Sequence, residues 1–345
     1  MATNYRNYYP VLAVAFAPLG TNFLTQPTGF YAAHGVQSFG STTNFNLDRV
    51  NELGQINVYE NIEGIPNVDV TVEKVIDGNY LLQHLASPTP LGASSLNGRY
   101  NNSRATVIAA IYNQGQNAAS GTPLSVAEMS GMYVSSININ IPVDGNMTES
   151  VTLVGNNKVW YTGALPTGLY TAATKFNNAD SPPGLGGVQR RENVDMTTSL
   201  WPRDIPGIDP SSRTNDVLGN GQYAAHIQNI QISVNLNRTE LFEQGRRGPY
   251  YRFAQFPTDV TCSIEVTANE FGDSKNAYEE STNLSDETIY IALDCGVQID
   301  LGSANKLTSI SNGGGDTGGG NQTVTYNYSN QNYLTVTQSG KDFLS

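Results

Sequence analysis

Histidine, cysteine and clustered acids are the groups through which a chain would do chemistry, and here their spacing argues against it. The three histidines, His34, His84 and His226, have no metal-ligand spacing to one another or to the cysteines. No Gly-x-Ser-x-Gly elbow, no Lys-terminated phosphate loop and no His-Glu-x-x-His motif occurs. The glycine-rich run 313–320 has no Lys-Ser/Thr behind it and no helix to supply a dipole, so it reads as a flexible loop. Asp144-Gly145-Asn146 lacks the ligand series of a calcium loop and reads as a hairpin turn. Cys262 and Cys295 fall on apparent strands and are expected as buried free thiols. No catalytic, cofactor-binding or metal-binding residue is expected, no cofactor, and no enzyme activity.

Side chains suited to recognition gather instead in two stretches, 47–67 and 238–258. Each mixes charge with aromatics, as protein interfaces do. The candidate interface residues are Arg49, Glu52, Tyr59 and Glu63 in the first, and Glu243, Arg246, Arg247, Tyr250 and Arg252 in the second. One reading folds each stretch back on its own sheet. The other makes it an arm docked on a neighbouring subunit, with Arg and Tyr as anchors, and the Glu, Gly, Tyr and Pro kept in register between the two stretches favour the arm.

The two stretches correspond because the chain repeats itself. Tyr31-Ala32-Ala33-His34 recurs as Tyr223-Ala224-Ala225-His226. Asn44-Phe45-Asn46 matches Asn235-Leu236-Asn237, Gly54 matches Gly245, Tyr59 matches Tyr250, and Val72-Glu73 matches Ile264-Glu265. A second block aligns Val134-Ser135-Ser136-Ile137 with Leu307-Thr308-Ser309-Ile310 and, without gaps, Val151-Thr152 with Val324-Thr325 and Asn157 with Asn330. The period of roughly 190 residues is a whole domain, far beyond that of solenoid repeats. The expected domains are 1–190 and 223–345, joined by a Pro/Gly-rich connector over 191–222. The wider breaker-rich stretch holds Leu185, Val188, Trp201 and Ile208, which should pack it on the domains. The paired histidines read as structural, since a catalytic group has no reason to occupy equivalent framework positions in both halves.

Composition narrows the class. Charged residues are only 14% of the chain, with 34 Gly and 19 Tyr, a polar and weakly charged mixture common in all-β virion or extracellular proteins. A net charge of −12 argues against a direct nucleic-acid binding surface. No apolar run approaches the ~20 residues that cross a bilayer. Residues 11–17, between Pro10 and Pro18, read as a buried strand and not a signal peptide, which implies synthesis in the cytoplasm.

Period-two alternation is clear over 67–73, 136–141, 260–265 and 323–326. Further strands are expected at 104–112, 150–154, 228–235 and 288–294. Short helices are expected at 80–85, 125–129 and 275–280. The fold class is mainly β: two tandem β-sandwich or barrel domains, each with a short flanking helix.

Phe45-Asn46-Leu47-Asp48-Arg49-Val50-Asn51-Glu52-Leu53-Gly54-Gln55, Tyr59-Glu60-Asn61-Ile62-Glu63 and 68–74 together resemble the tail tube proteins of long-tailed bacteriophages. Ile141-Pro142-Val143-Asp144-Gly145-Asn146-Met147-Thr148-Glu149 and Val151-Thr152-Leu153-Val154-Gly155-Asn156 have the same look. The resemblance covers most of the first domain, and the second shares it through the repeat. The glycine-rich run and the long connector depart from a single-domain tube protein. The resemblance implies six-fold rings in which every domain gives strands to an inner β-barrel, and a long loop that stacks ring on ring. With two domains per chain, three chains would make a pseudo-six-fold ring. The implied partners are further copies of itself, the tape-measure, tail terminator or neck and baseplate proteins, and a sheath if the tail contracts. DNA would pass through the lumen without specific binding. The implied location is the virion tail, after assembly in the host cytoplasm. Two other readings stay open: a neck, collar or decoration protein, and a carbohydrate-binding adhesin. The presence of only two tryptophans, Trp160 and Trp201, and the lack of an obvious carboxylate pair argue against the latter.

Overall fold

The computed structural model describes residues 12–18, 31–77, 81–86, 93–95, 103–112, 123–162, 187–196, 198–205, 217–218, 222–223, 226–267, 284–314 and 321–338. Within them the fold is strand, apart from 3-10 turns at Leu82–Ala86 and Arg191–Asn193. The first half holds β1 (Leu12–Pro18), β2 (Tyr31–Ala32), β3 (Val36–Asn44), β4 (Leu47–Asn51), β5 (Val58–Glu63) and β6 (Asn67–Val75). It continues with β7 (Ala93–Ser95), β8 (Ala105–Ile111), β9 (Ser125–Pro142), β10 (Thr148–Gly155) and β11 (Val159–Thr162). The second half begins with β12 (Val217–Leu218), β13 (Gln222–Tyr223), β14 (Ile227–Asn235), β15 (Arg238–Leu241), β16 (Tyr251–Ala254) and β17 (Asp259–Thr267). It ends with β18 (Tyr290–Ala292), β19 (Val297–Asp300), β20 (Lys306–Gly313), β21 (Thr323–Gln331) and β22 (Thr335–Gln338).

Eight strands run side by side in the order β3-β6-β10-β9-β14-β17-β21-β20, each antiparallel to its neighbours. The order within the first four recurs in the last four. The irregularities recur as well. Gln37 is the extra residue where β3 meets β6, and Gln228 is the extra residue where β14 meets β17. Each sends its side-chain amide to the carbonyl two residues back, on Gly35 and His226, at 3.2 Å. Ser135 bulges from β9 opposite β10, and Thr308 bulges from β20 opposite β21. A β-bulge costs a ladder bond and sets local twist, so coincident bulges mark the two halves as equivalent in pairing as well as in order.

Pairing corrects the gapless alignment of the second block. Glu73 lies opposite Ser150, and its counterpart Glu265 lies opposite Thr325. Val151 therefore corresponds to Tyr326 and Thr152 to Asn327, two residues beyond the positions read from sequence. The slip falls between β20 and β21, where the chain between equivalent paired residues is two residues longer than between β9 and β10. Repetitive glycine offers an alignment nothing to register on.

Behind this sheet lies a second layer. In the first half it is β2-β1-β8-β9-β11, and in the second β18-β19-β22-β7. β9 belongs to both layers: its first part pairs β8 and β11, and its last part pairs β10 and β14. The change of partners comes beside Gly131, whose φ of 70° is one that side chains with a Cβ rarely adopt. The inward faces of the eight strands, among them Val70, Leu153, Ile139, Ile232, Ile264 and Tyr326, pack on this layer in one continuous core. Among the described residues, strands of the two halves pair at β9·β14 and at β7·β22.

The expected strands appear at β1, β8, β10, β14 and β18. The helix expected at 125–129 does not form, because those residues are the start of β9. They are flanked by β8 on one side and β11 on the other, and Val126 to Met129 are all buried, so no alternation betrays a strand. The helix expected at 80–85 is the 3-10 turn at Leu82–Ala86, and 275–280 lies outside the described residues. The connector packs on the second half through bridges Val194 to Leu293 and Leu200 to Tyr290, with Trp201 and Ile205 buried. Val188 is exposed and contributes no such anchor. Leu185 and Ile208 lie outside the described residues.

Candidate assembly surfaces

The face of the eight-stranded sheet turned away from the core is a carpet of small polar side chains. Antiparallel register sets Ser38, Glu73, Ser150, Asn138, Ser233, Thr261, Ser329 and Lys306 in one row across all eight strands. The neighbouring rows hold Thr71, Thr152, Ser136, Asn140, Gln231, Ser263 and Asn327, nearly all hydroxyl or amide. The ionisable residues on this face are Asp69, Glu73, Asp259, Glu265 and, on the last strand, Lys306. Glu73 and Glu265 occupy equivalent positions. These acids are absent from the candidates read from sequence, although period-two parity with Thr71 and Ser263 would have put them together on one face.

Two antiparallel hairpins rise from the end of this sheet. β4 pairs β5, and β15 pairs β16, with Arg49 opposite Asn61 just as Glu240 lies opposite Arg252. Their surroundings differ. The first hairpin is exposed along its length, and Arg49, Glu52, Tyr59 and Glu63 all face solvent. So do Phe45, Leu47, Ile62 and, at the turn, Leu53 and Ile56. The second hairpin lies down on the first half. Arg252 is buried, pairs with Glu240, and donates to the side-chain oxygens of Asn156 (3.0 Å) and Asn67 (3.4 Å). Arg238 Nε donates to Val134 O at 2.6 Å, and its guanidinium stands 5.4 Å from the Tyr133 ring centre. Tyr133 meets Tyr251 edge to face at 6.4 Å. Burial draws the Arg238 guanidinium down to about 10, against an opposite pull from the two tyrosines. Arg247 reaches the Glu63 carbonyl at 3.3 Å and so touches the root of the first hairpin. Glu243 and Arg246 form an exposed pair at 3.4 Å at the tip, and the Tyr250 N–H closes the hairpin on Leu241 O at 2.9 Å. Arg238, Tyr133 and Tyr251 anchor the hairpin, and Arg238 and Tyr133 are absent from the residues read from sequence as interface anchors.

The remaining chemistry-bearing side chains lie apart from both hairpins. His34 is half-buried and His226 is exposed, with the His226 carbonyl accepting from Thr267 N–H at 2.9 Å. Both cysteines are free and buried, and burial pushes the Cys262 thiol up to about 12. Among the described residues no group of three or more His, Cys, Asp or Glu is placed to hold a metal ion. No helix among them is long and apolar enough to cross a membrane. Asp144-Gly145-Asn146 is the β9–β10 turn, with Gly145 at φ 104°. A buried charged group lies where β6 meets β10. Lys74 and Glu149 are opposite one another, and Glu149 accepts the N–H groups of Leu82 (2.7 Å) and Gln83 (2.8 Å).

No protein-family model matches the chain, and no curated protein matches it significantly. Among solved structures it is similar to one described as the tube-terminating cap of the anti-feeding prophage, at 13% identity and a TM-score of 0.33, over 47% of this chain and 95% of that one. A sheath–tube complex of the extracellular contractile injection system PVC, in its extended state, gives 11% identity and a TM-score of 0.33 over the same shares. The sheath/tube terminator of that system gives 13% and 0.29, over 47% of this chain and all of that one.

Proposed function

We propose that this chain is a structural subunit of a phage-type tail, a major tube protein whose rings of three chains stack into a hollow conduit for DNA. One observation carries the reading: eight strands in two equivalent sets of four, joined edge to edge at β9·β14 and, among the described residues, left open at β3 and β20. Open edges invite further strands, and closure abolishes them. Three chains would supply about twenty-four strands, a barrel of the width that encloses an aqueous channel and not a packed interior. The face lacking a second layer would then line the lumen, with its neutral hydroxyls, amides and carboxylates towards the DNA. Such a lining offers phosphate almost no cation to hold it. Duplication of an ancestral single-domain subunit accounts for the equivalent halves.

The exposed tip of the first hairpin, with Leu53 and Ile56, suits the ring-to-ring contact, a heterologous contact that produces open filaments. Tape-measure, terminator or neck and baseplate proteins, and a sheath in a contractile tail, are the partners that follow from this reading. The chain would work without catalysis. Electron microscopy of the purified protein tests it: hollow tubes of stacked rings, each of three chains by mass, are expected. Isolated discs would point to a neck or collar protein, and monomers that bind glycan would point to an adhesin.

A further inference from the structure

The eight-stranded sheet contains one seam between its halves, β9·β14, and that seam is a template for a second. In β9·β14, Asn235 lies opposite Ser136, Val234 opposite Ile137 and Ser233 opposite Asn138. β3 is the counterpart of β14 in the first half, and β20 is the counterpart of β9 in the second. Both are edge strands among the described residues. Exposed edges are normally guarded by charge, yet β3 has no charged residue and β20 only Lys306.

We infer that β3 of one chain pairs antiparallel with β20 of a second copy in the register of β9·β14, and that the β4–β5 hairpin seats on that copy as β15–β16 seats on β9. The inference rests on the ring reading and gives it residues. Equivalence sets Asn44 opposite Ser309 of the second copy, Thr43 opposite Ile310 and Thr42 opposite Ser311. Parity agrees. Thr42 shares the polar face with its partner Asp69, as Ser311 does with Thr325, so like face meets like face, and a one-residue slip would break this. Phe39 replaces Ile230 and meets Gly314 where Ile230 meets Ile141, a large ring over a residue with no side chain.

Exposure at equivalent positions points the same way. Leu236, at the root of the second hairpin, is 0% exposed and donates its N–H to Ser135 O at 2.8 Å. Its counterpart Phe45 is 68% exposed. The difference is the seat: β9 lies beside Leu236, whereas among the described residues no strand lies beside Phe45 in that position. The counterparts of Tyr251 and Tyr133 are Glu60 and Lys306. The aromatic contact within the chain thus becomes an opposite-charge contact between chains, with Lys306 shared with Asp286, its partner at 2.9 Å.

Cysteine pairs test the register. Leu236 and Ser135 form a hydrogen-bonded pair, so Ser233 and Asn138 are a non-hydrogen-bonded one, and so are Thr42 and Ser311. Their Cα atoms would lie about 4.5 Å apart, within the range a disulfide spans. Mild oxidation of assembled Thr42→Cys/Ser311→Cys protein should give covalent species ending at three chains. Mixing the two single variants should give covalent dimers only. Ser38→Cys/Ser309→Cys, about 20 Å apart in this register, should not link. Glu60→Lys should weaken assembly at low salt, and Glu60→Lys/Lys306→Glu should restore it. Tubes that link through the control pair, or through neither, would overturn the seam and leave the ring reading standing. Protein that forms no ring under the microscope would overturn both.

Discussion

Lys74 and Glu149 face one another across β6·β10, both almost fully buried, with Asp77 3.5 Å from the lysine and His84 in the turn above. Burial raises the Glu149 carboxyl to about 7, against opposite pulls from Lys74 and from the Gln83 and Leu82 N–H groups. Burial also lowers the His84 imidazole to about 4, opposed by a hydrogen bond with Gln338 and helped by the Lys74 charge. Linkage gives the two groups opposite signs. The folded chain holds the Glu149 proton more tightly than the unfolded chain, so its contribution is full below about 4.5 and is lost as pH rises to about 7. The folded chain holds the His84 proton less tightly, so its contribution is full above 6.5 and is lost as pH falls to about 4. Between these limits the slopes oppose. Glu149→Gln should therefore leave a chain whose midpoint of denaturant unfolding falls as pH drops from 6.5 to 4. His84→Gln should leave one whose midpoint falls as pH rises from 4.5 to 7. Parallel pH profiles for wild type and both variants would show that neither group titrates across unfolding.

At the scale of elements, the two hairpins have the same register and different fates, and this separates what the sequence carries from what it cannot. Leu53 and Ile56 stand fully exposed at the turn of the first hairpin. Leu53→Asp/Ile56→Asp should leave thermal stability within about 0.5 kcal/mol, as surface changes do, while rings form and tubes do not. Tubes of ordinary length from this variant would remove the hairpin from ring stacking. The alternation over 67–73 and 260–265 was legible because those strands have one apolar and one polar face. The start of β9 was not, because it is buried on both. The hairpins were legible as charged, aromatic arms with Glu, Gly and Tyr in matching places. That the second lies on its own chain was not, since it depends on Tyr133, Asn67 and Asn156, each over ninety residues away and each ordinary in its local context. The two-residue slip behind the glycine-rich run shows the same limit: only pairing partners fix register there.

For the whole molecule, the placement of charge makes a sharper claim than the net value of −12. Glu73 and Glu265 lie at equivalent positions on the polar face, one from each half, so each half of every chain in a ring would add a carboxylate at one height. Glu73→Gln/Glu265→Gln should assemble normally and slow genome ejection, because repulsion of passing phosphates acts over roughly a Debye length, ~10 Å at 0.1 M salt. Ejection at the wild-type rate would mean that these acids do not drive DNA clear of the wall. The β9·β14 seam has a kinetic consequence besides. Two of the units that a ring needs are already joined by peptide, so half of its seams form at an effective concentration set by the tether and independent of the amount of protein. A ring then nucleates from an encounter of three bodies where separate domains would need six. Its lag time should respond to dilution far less steeply, and a cell making only modest amounts of the protein could still begin a tube.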